Sequence, residues 1–298
     1  MPTTLPRLPD DRLRPLAEAY ARSMRAARLK TFAGVAGLVV LVILAGWFAE
    51  VDLVKMVRRI GTVSDYVGRI FTFDNGDHVG RPVFVAPGEW MWGLSHWAKL
   101  ILETLLIAYA GTVLGAIGGF VLSFMAARNL GRSPWLRGGV KRFLEFCRTV
   151  PELVFALIFV IAFGLGALPG VLALAIHTTG ALGKQFAEVV ENIDMKPVEG
   201  TTAAGGSWWQ TVRFAAVPQV LPNFVSYTLL RFEINVRGAS VMGFVGAGGI
   251  GQDLIEAIRK FYYADVSAIL VLIILTVMVI DLLTERLRHR FTDTESRA

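Results

Sequence analysis

Long uncharged runs alternate with charged segments along this chain, and the runs predict membrane-spanning helices. Residues 32–48 and 104–127 are each uncharged over about the length that crosses roughly 30 Å of hydrocarbon. The uncharged run 153–183 is too long for one crossing at about 1.5 Å per residue, and the glycines and proline of 164–170 are typical of a turn. We therefore divide this run between a third and a fourth span.

Two more spans are predicted near the C-terminus, at about residues 218–236 and 264–283. In the second span, Gly111, Gly115 and Gly119 recur every four residues and predict a face for close helix packing. Together the runs predict an all-α integral membrane protein with about six transmembrane helices. The chain divides into a basic N-terminal segment, a first span, an external loop, a core of five spans and a C-terminal tail, at residues 1–31, 32–49, 50–98, 99–290 and 291–298.

Composition and charge agree with this prediction and give it an orientation. Hydrophobic residues make up 54% of the 298 residues, and the net charge of +6 comes from cations beside the apolar runs, with no single basic patch. This distribution follows the positive-inside rule and does not indicate nucleic-acid binding. We expect a bacterial inner-membrane protein with both termini in the cytoplasm and an amphipathic surface helix at residues 11–30. The cations of residues 50–98 run against the rule.

No residue pattern predicts catalysis or a metal site. The single Cys147 excludes a disulfide framework within one chain and a cysteine-rich zinc site. The pattern Gly246-x-Gly248-x-x-Gly251 lacks the βαβ unit of a dinucleotide site, and the chain has no GxxxxGKS or GxxxxGKT phosphate loop. We therefore expect no catalytic residue, metal or cofactor in this chain, and any ATP-driven work needs a separate subunit. The histidines have no metal-ligand spacing: His78, His96, His177 and His289.

The polar segment 199–218 (EGTTAAGGSWWQTVRFAAVP) lies between the fourth and fifth spans. It predicts a short cytoplasmic helix of about four turns at about residues 199–213. Glu199 at its start and Arg213 near its end complement the helix dipole. Gly205 weakens the helix by roughly 1 kcal/mol relative to alanine, so we expect packing to hold it in place.

Three further residues of this segment allow two interpretations. Trp208 and Trp209 place large apolar groups beside water or lipid headgroups, and Pro218 ends the segment and begins the fifth span. The simpler interpretation is an interfacial loop with anchoring tryptophans. The other interpretation follows from a family resemblance.

The spacing of the segment resembles the EAA loop of ABC-importer permeases. That loop has Glu-Ala-Ala, three residues, Gly, nine residues, an aliphatic residue, one residue and Leu-Pro. The resemblance implies an ABC importer type I permease fold, in which this segment is a coupling helix in a groove of the ATPase subunit. Gly200 and Thr201 stand in place of the two alanines, and Ala215 and Val217 in place of a larger aliphatic residue and leucine. The matching positions are Glu199, Gly205, Ala215, Val217 and Pro218.

Two further stretches, residues 227–261 and 176–191, resemble phosphonate-importer permeases. The resemblance implies the permease subunit of an ATP-driven importer for phosphonate or a related phosphorus oxyanion. Its implied partners are two copies of an ATPase subunit, which hold the ATP and Mg, a periplasmic substrate-binding protein and a second copy of this chain. The alternatives are an importer of another small solute, such as phosphate, phosphite or an amino-acid-like ligand, and, from another class, a membrane scaffold.

Charged residues in the fifth span indicate a candidate substrate path. Arg231, Glu233 and Arg237 lie within or at the end of this span, where a charge is costly unless it is paired or faces a wet cavity. Glu233 and Arg237 are four residues apart with the acid first, which favours a structural pair. The functional alternative places Arg237 in an anion pathway, because a guanidinium donates two parallel hydrogen bonds to a phosphonate group.

Two more groups of residues belong to the candidate path. His177, Thr178 and Thr179 are polar residues in the fourth span, and they either bond between helices or line the path. The glycine-rich block after the fifth span is interpreted as a flexible external gate or a dimer contact, with an ordinary loop as the alternative. The glycines of this block are Gly246, Gly248, Gly249 and Gly251.

Overall fold

The computed structural model describes residues 10–131 and 133–295. In this part of the chain the regular structure is helical, apart from one isolated antiparallel bridge between Thr72 and Pro82. The chain divides into two compact units, with the boundary between Asp65 and Tyr66. The first nine residues of the predicted N-terminal segment and the last three of the predicted tail lie outside the described residues.

The first unit contains one long helix, α1 (Asp10–Phe48), and the beginning of α2 (Leu53–Ile70). Within α1, the stretch Glu18–Phe48 is long and apolar enough to cross a membrane. Its apolar side chains are exposed, as contact with lipid requires. The predicted surface helix and the predicted first span are therefore parts of one helix, and the first part of the predicted external loop is helical as well.

The segment between α2 and the next long helix contains a 3-10 helix (Val83–Val85) and a short α-helix, α3 (Pro87–Trp90). Trp90 is buried, and its Nε1 donates a hydrogen bond to Ser267 Oγ at 3.0 Å. Ser267 lies near the start of α12 (Tyr263–Glu295), so this contact fixes the segment to the last helix of the chain. The middle of the predicted external loop is thus a packed structure, and its location outside the membrane stays a prediction.

Two long helices, α4 (Leu94–Ala126) and α7 (Ala167–Glu191), pack along each other at the centre of the second unit. The predicted glycine face of α4 lies at this contact, which confirms that prediction. An ideal Cβ on Gly115 would lie 2.5 Å from Thr178 Cβ, so a side chain there would force the helices apart. The three glycines and their closest neighbours are Gly111 with Leu174, Gly115 with Thr178, and Gly119 with Gly183.

The longest uncharged run is broken where its glycines predicted. Helix α6 (Glu152–Phe163) ends before Gly164, and α7 begins after Gly166, and both glycines have positive φ angles. The 12 residues of α6 cover only about 18 Å, too little for a crossing. The preceding helix, α5 (Pro134–Thr149), meets α6 at an 85° bend next to Pro151. Together α5 and α6 have the length and composition of one broken span.

Length and composition alone identify three described helices that can cross a membrane, and the bent pair raises the number to four. Helix α7 and the later helix α10 (Val217–Met242) are less apolar, because Lys184 in α7 and Arg231 in α10 interrupt them. The helices of the described residues confirm the all-helical class. The six spans stay a prediction.

A buried aromatic cluster joins α7 to α10. The rings of Phe186 and Phe224 stack with centroids 3.9 Å apart, and Phe124 of α4 packs against Phe224. The last helix, α12, continues past residue 291, where the C-terminal tail was predicted to begin. The remaining elements are α8 (Met195–Ala203), α9 (Trp208–Thr211), a π-helical turn (Val212–Ala216), a 3-10 helix (Gly243–Val245) and α11 (Ile250–Lys260).

We expect Gly115→Ala to lower the thermal unfolding temperature of the detergent-solubilised protein, because the new methyl group would push α4 away from Thr178. Gly138→Ala is the matched control. Gly138 lies in α5 with no atom within 4 Å of an ideal Cβ, so alanine should raise helix stability by about 0.5–1 kcal/mol. Equal melting temperatures of the two variants would contradict the close contact of α4 and α7.

Candidate functional site

The segment predicted as one coupling helix, from Glu199 to Arg213, is two helices joined by a turn, so the single helix is wrong. Helix α8 begins earlier, after Asp194, whose Oδ1 accepts a hydrogen bond from Lys196 N at 3.0 Å. Glu199 is therefore in the middle of α8 and does not sit at a helix start. The chain turns at Gly205, whose φ of +79° favours glycine, so this residue bends the segment between two helices.

One face of this segment is buried and the other is exposed. The buried face packs with Phe186 and Phe224 in the cluster between α7 and α10. On the opposite face, Glu199 and Arg213 are exposed and Trp209 is 67% exposed. The segment is thus firmly seated and presents charged and aromatic groups outward. Its buried apolar residues are Val198, Val212, Ala215 and Ala216, and Thr211 is buried as well.

The helix that follows the segment, α10, begins irregularly at Val217, and Pro218 is exposed in its first turn. Proline has no N–H to donate, and the five residues before α10 form a π-helical turn. Gln219 holds this turn in place. Its Nε2 donates to Ala215 O at 2.7 Å, and its Oε1 accepts from Asp194 N at 3.0 Å. The start of α8 is therefore tied to the start of α10.

A joint between the segment and the end of α4 was not predicted from the sequence. Trp208 Nε1 donates to Leu130 O at 2.8 Å, in the loop that follows α4. In the same region Glu191 Oε1, at the end of α7, accepts from Arg128 N at 3.1 Å and from Lys141 Nζ at 3.0 Å. The sequence interpretation of Trp208 as an interfacial anchor missed this contact, because a tryptophan does not reveal its hydrogen-bond partner.

A buried polar cluster connects three helices of the second unit. Asn235 Nδ2, on α10, donates to Thr112 Oγ1 on α4 at 2.8 Å and to Thr178 Oγ1 on α7 at 2.9 Å. Thr178 therefore bonds between helices, as one of its two interpretations predicted. Thr179 Oγ1 instead donates to Ala175 O of its own helix at 2.8 Å. Asn235 was not singled out from the sequence, although an amide within a span is itself a signal of interhelical bonding.

Charged groups lie beside this cluster. Arg231 Nε is 3.5 Å from Thr178 Oγ1, which brings two of the predicted path residues together. His177 Nδ1 lies 3.1 Å from Val150 O, and its Nε2 lies 3.7 Å from Glu152 Oε2. Glu152, in the first turn of α6, was not predicted to belong to this site.

The other charged residues of α10 form a separate group. Arg237 Nη2 donates to Glu233 Oε1, the partner expected from their four-residue spacing, and to Asp281 Oδ1 of α12 at 3.2 Å. The structural pair predicted for these two residues is confirmed. Arg237 is thus neutralised by two carboxylates, whereas its role in an anion pathway stays a prediction.

The glycine-rich block between α10 and α11 is packed tightly. Gly248 and Gly249 have positive φ angles and are buried, and an ideal Cβ on Gly249 would overlap Thr104 Oγ1. Gly251 is equally confined by Ser240 O. Gly246 O accepts from Gly166 N at 3.0 Å. These glycines allow close packing within one chain. A dimer contact at this block stays a prediction. A gating role for the block stays a prediction.

Comparison with known families identifies the chain. Residues 119–293 match the family of binding-protein-dependent transport system inner membrane components. The chain belongs to this family. Among its relatives, the phosphite transport system permease protein PtxC of Stutzerimonas stutzeri is 42% identical over 199 residues, which are 67% of this chain and 72% of PtxC.

Two other relatives of this inner-membrane component match to different extents. The phosphate-import permease protein PhnE of Mycolicibacterium smegmatis is 41% identical over 65% of this chain but only 36% of its own length. The putative cryptic phosphonate transport system permease protein PhnE2 of Escherichia coli is 52% identical over 40% of this chain and 98% of its own length.

Solved structures agree on the fold. The inward-facing MetNI methionine ABC transporter matches 69% of this chain and 98% of the solved chain with a TM-score of 0.57 and 20% identity. A bacterial alginate ABC transporter matches 85% of this chain with a TM-score of 0.56. The chain therefore has the permease fold of ABC importers. Its family assigns it to the inner-membrane component of a transport system that depends on a binding protein. The alternative of a membrane scaffold is not supported.

We call residues 195–216, from α8 to the π-helical turn, the coupling segment after their predicted role. Its two neighbouring tryptophans should differ in their effect on stability. Trp208→Ala removes the hydrogen bond to Leu130 and part of the cluster packing, and we expect it to lower the free energy of unfolding by about 2 kcal/mol. Trp209→Ala should leave stability unchanged, since its ring is mostly exposed. Denaturant unfolding in detergent measures both. A larger loss of unfolding free energy in Trp209→Ala than in Trp208→Ala would contradict the packing of Trp208 against Leu130 and the aromatic cluster.

Proposed function

We propose that this chain is the translocation subunit of an ATP-driven importer for phosphonate or a related phosphorus oxyanion. The relatives named for phosphite, phosphate and phosphonate transport support this substrate class. Cations within the C-terminal half also support an anionic substrate. A charge among apolar helices needs a counter-ion or a water-filled path. The substrate-binding protein would deliver the anion from the periplasmic side.

We further propose a homodimer in which each copy engages one ATPase subunit. One chain offers a single segment α8–α9, and two ATPase subunits need two such segments. ATP and Mg would be held by the ATPase subunits. The basic N-terminal segment, the coupling segment and the C-terminus would all lie in the cytoplasm of an inner-membrane protein, in keeping with the positive-inside rule.

The observation that carries this proposal is the shape of the coupling segment. Its exposed face presents Glu199, Trp209 and Arg213, while its buried face is fixed to α7 and α10 by the aromatic cluster. The bond from Trp208 to Leu130 adds the end of α4. A movement of the ATPase that displaces α8 and α9 would therefore move the ends of three helices together. Such a shared element is what coupling between two distant sites requires.

Glu199→Lys and Gly205→Glu should abolish uptake and weaken ATPase binding while the chain still inserts into the membrane. The first reverses an exposed charge, and the second places a side chain at a backbone angle that favours glycine. Uptake by membrane vesicles and co-purification of the ATPase subunit measure the two effects.

Gly61→Glu in α2 is the matched control, because an ideal Cβ at Gly61 also meets no atom within 4 Å. This control should keep both uptake and ATPase binding. Normal uptake by both coupling-segment variants would show that α8 and α9 do not couple to the ATPase.

A further inference from the structure

Arg231 has far fewer partners than its position demands. It is partly buried in α10, the predicted fifth span, and its guanidinium carries five N–H donors. Among the described residues its one hydrogen bond is the long contact from Nε to Thr178 Oγ1, at 3.5 Å. Its terminal nitrogens make none within the part of the chain that the structure describes. A charged group in this environment is costly unless an anion or water satisfies it.

The surroundings of Arg231 are built from rigid polar groups. Thr178 is fully buried and is held by the hydrogen bond from Asn235, which also bonds to Thr112. His177 lies next to Thr178 in α7, and its Nδ1 faces the backbone carbonyl of Val150. These contacts fix the groups around the guanidinium in place before any ligand arrives, as a preorganised binding site requires.

One carboxylate interacts electrostatically with this site without closing it. Glu152 acts on both Arg231 and His177, and its nearest contact is the 3.7 Å approach of Oε2 to His177 Nε2. No carboxylate in the described part of the chain is within ion-pairing distance of Arg231. Glu152 therefore offsets part of the positive charge of Arg231 without forming an ion pair with it.

The comparison with Arg237 separates two candidates on the same helix. Arg237 donates to Glu233 and to Asp281, so its charge and its donors already have protein partners. An incoming anion would have to displace two carboxylates to bind Arg237. At Arg231 the nearby carboxylate, Glu152, is not paired with the guanidinium. The fork of donors on Arg231 matches the oxygens of a tetrahedral oxyanion without such displacement.

We propose that Arg231 is the residue that binds the phosphorus oxyanion inside the membrane subunit, and that Glu152 is the resident counter-charge that keeps this binding weak. The proposal rests on the proposed function and adds a site to it. The oxyanion receives two parallel hydrogen bonds from Arg231, with Thr178 beside them. The negative charge of Glu152 repels the bound anion, so that it leaves the site readily, as transport requires.

The test uses the permease in complex with its ATPase subunits in lipid nanodiscs, with 32P-labelled phosphate as the binding probe and phosphite and methylphosphonate as competitors. Arg231→Lys keeps the charge but loses the fork, and we expect binding to weaken about tenfold. Glu152→Gln removes the repelling charge and should tighten binding about tenfold while slowing uptake. Arg237→Lys should change binding by less than about twofold.

The outcomes separate this proposal from the proposed function. A misfolded variant cannot bind more tightly than the wild type, so the gain expected for Glu152→Gln tests the site even if Arg231→Lys fails to retain the ATPase. Unchanged binding in either variant, or a larger loss at Arg237 than at Arg231, would overturn the proposal while uptake by the wild type still supports the importer. If wild-type vesicles with the substrate-binding protein import none of the three anions, both conclusions fall.

Discussion

The close approach of α4 to α7 is the constraint on which the rest of the second unit depends. Glycine at position 115 lets Thr178 reach the interface, and only at that separation can Thr112 and Thr178 bond the same amide of Asn235. The amide brings in α10. In a lipid environment, where association of apolar helices gains little from water exclusion, close backbone contact and interhelical hydrogen bonds supply the specificity. The close packing of α4 on α7 and the buried hydrogen bonds of Asn235 therefore depend on each other.

The same pair of helices also organises the end of the second unit where α7 finishes and α8 begins. Glu191 closes α7 by accepting hydrogen bonds from the loop after α4 and from α5, and Trp208 reaches the same loop from α9. The coupling segment is consequently a part of the helical core and not an appended loop. Its two helices, α8 and α9, are separated by the turn at Gly205.

Several features could be predicted from the sequence because they depend on local chemistry. Glycines every four residues predicted the packed face of α4, and the spacing of Glu233 and Arg237 predicted their pair. The bend at Gly205 could not be predicted, since a glycine permits positive φ without requiring it. Glu152 and Asn235 were missed because their roles depend on the rotation of α6 and α10 about their axes, which is fixed by neighbours distant in the chain.

The π-helical turn before α10 has a consequence for exchanging parts between relatives. Each residue added to or removed from a helix rotates everything beyond it by about 100°. The π-helical turn at Val212–Ala216 therefore sets how Arg231 and Asn235 are rotated about the axis of α10 relative to α8 and α9. A chimera that takes a regular α-helical junction from another permease would keep every side chain of α10. Its polar residues Arg231 and Asn235 would nevertheless face different neighbouring helices.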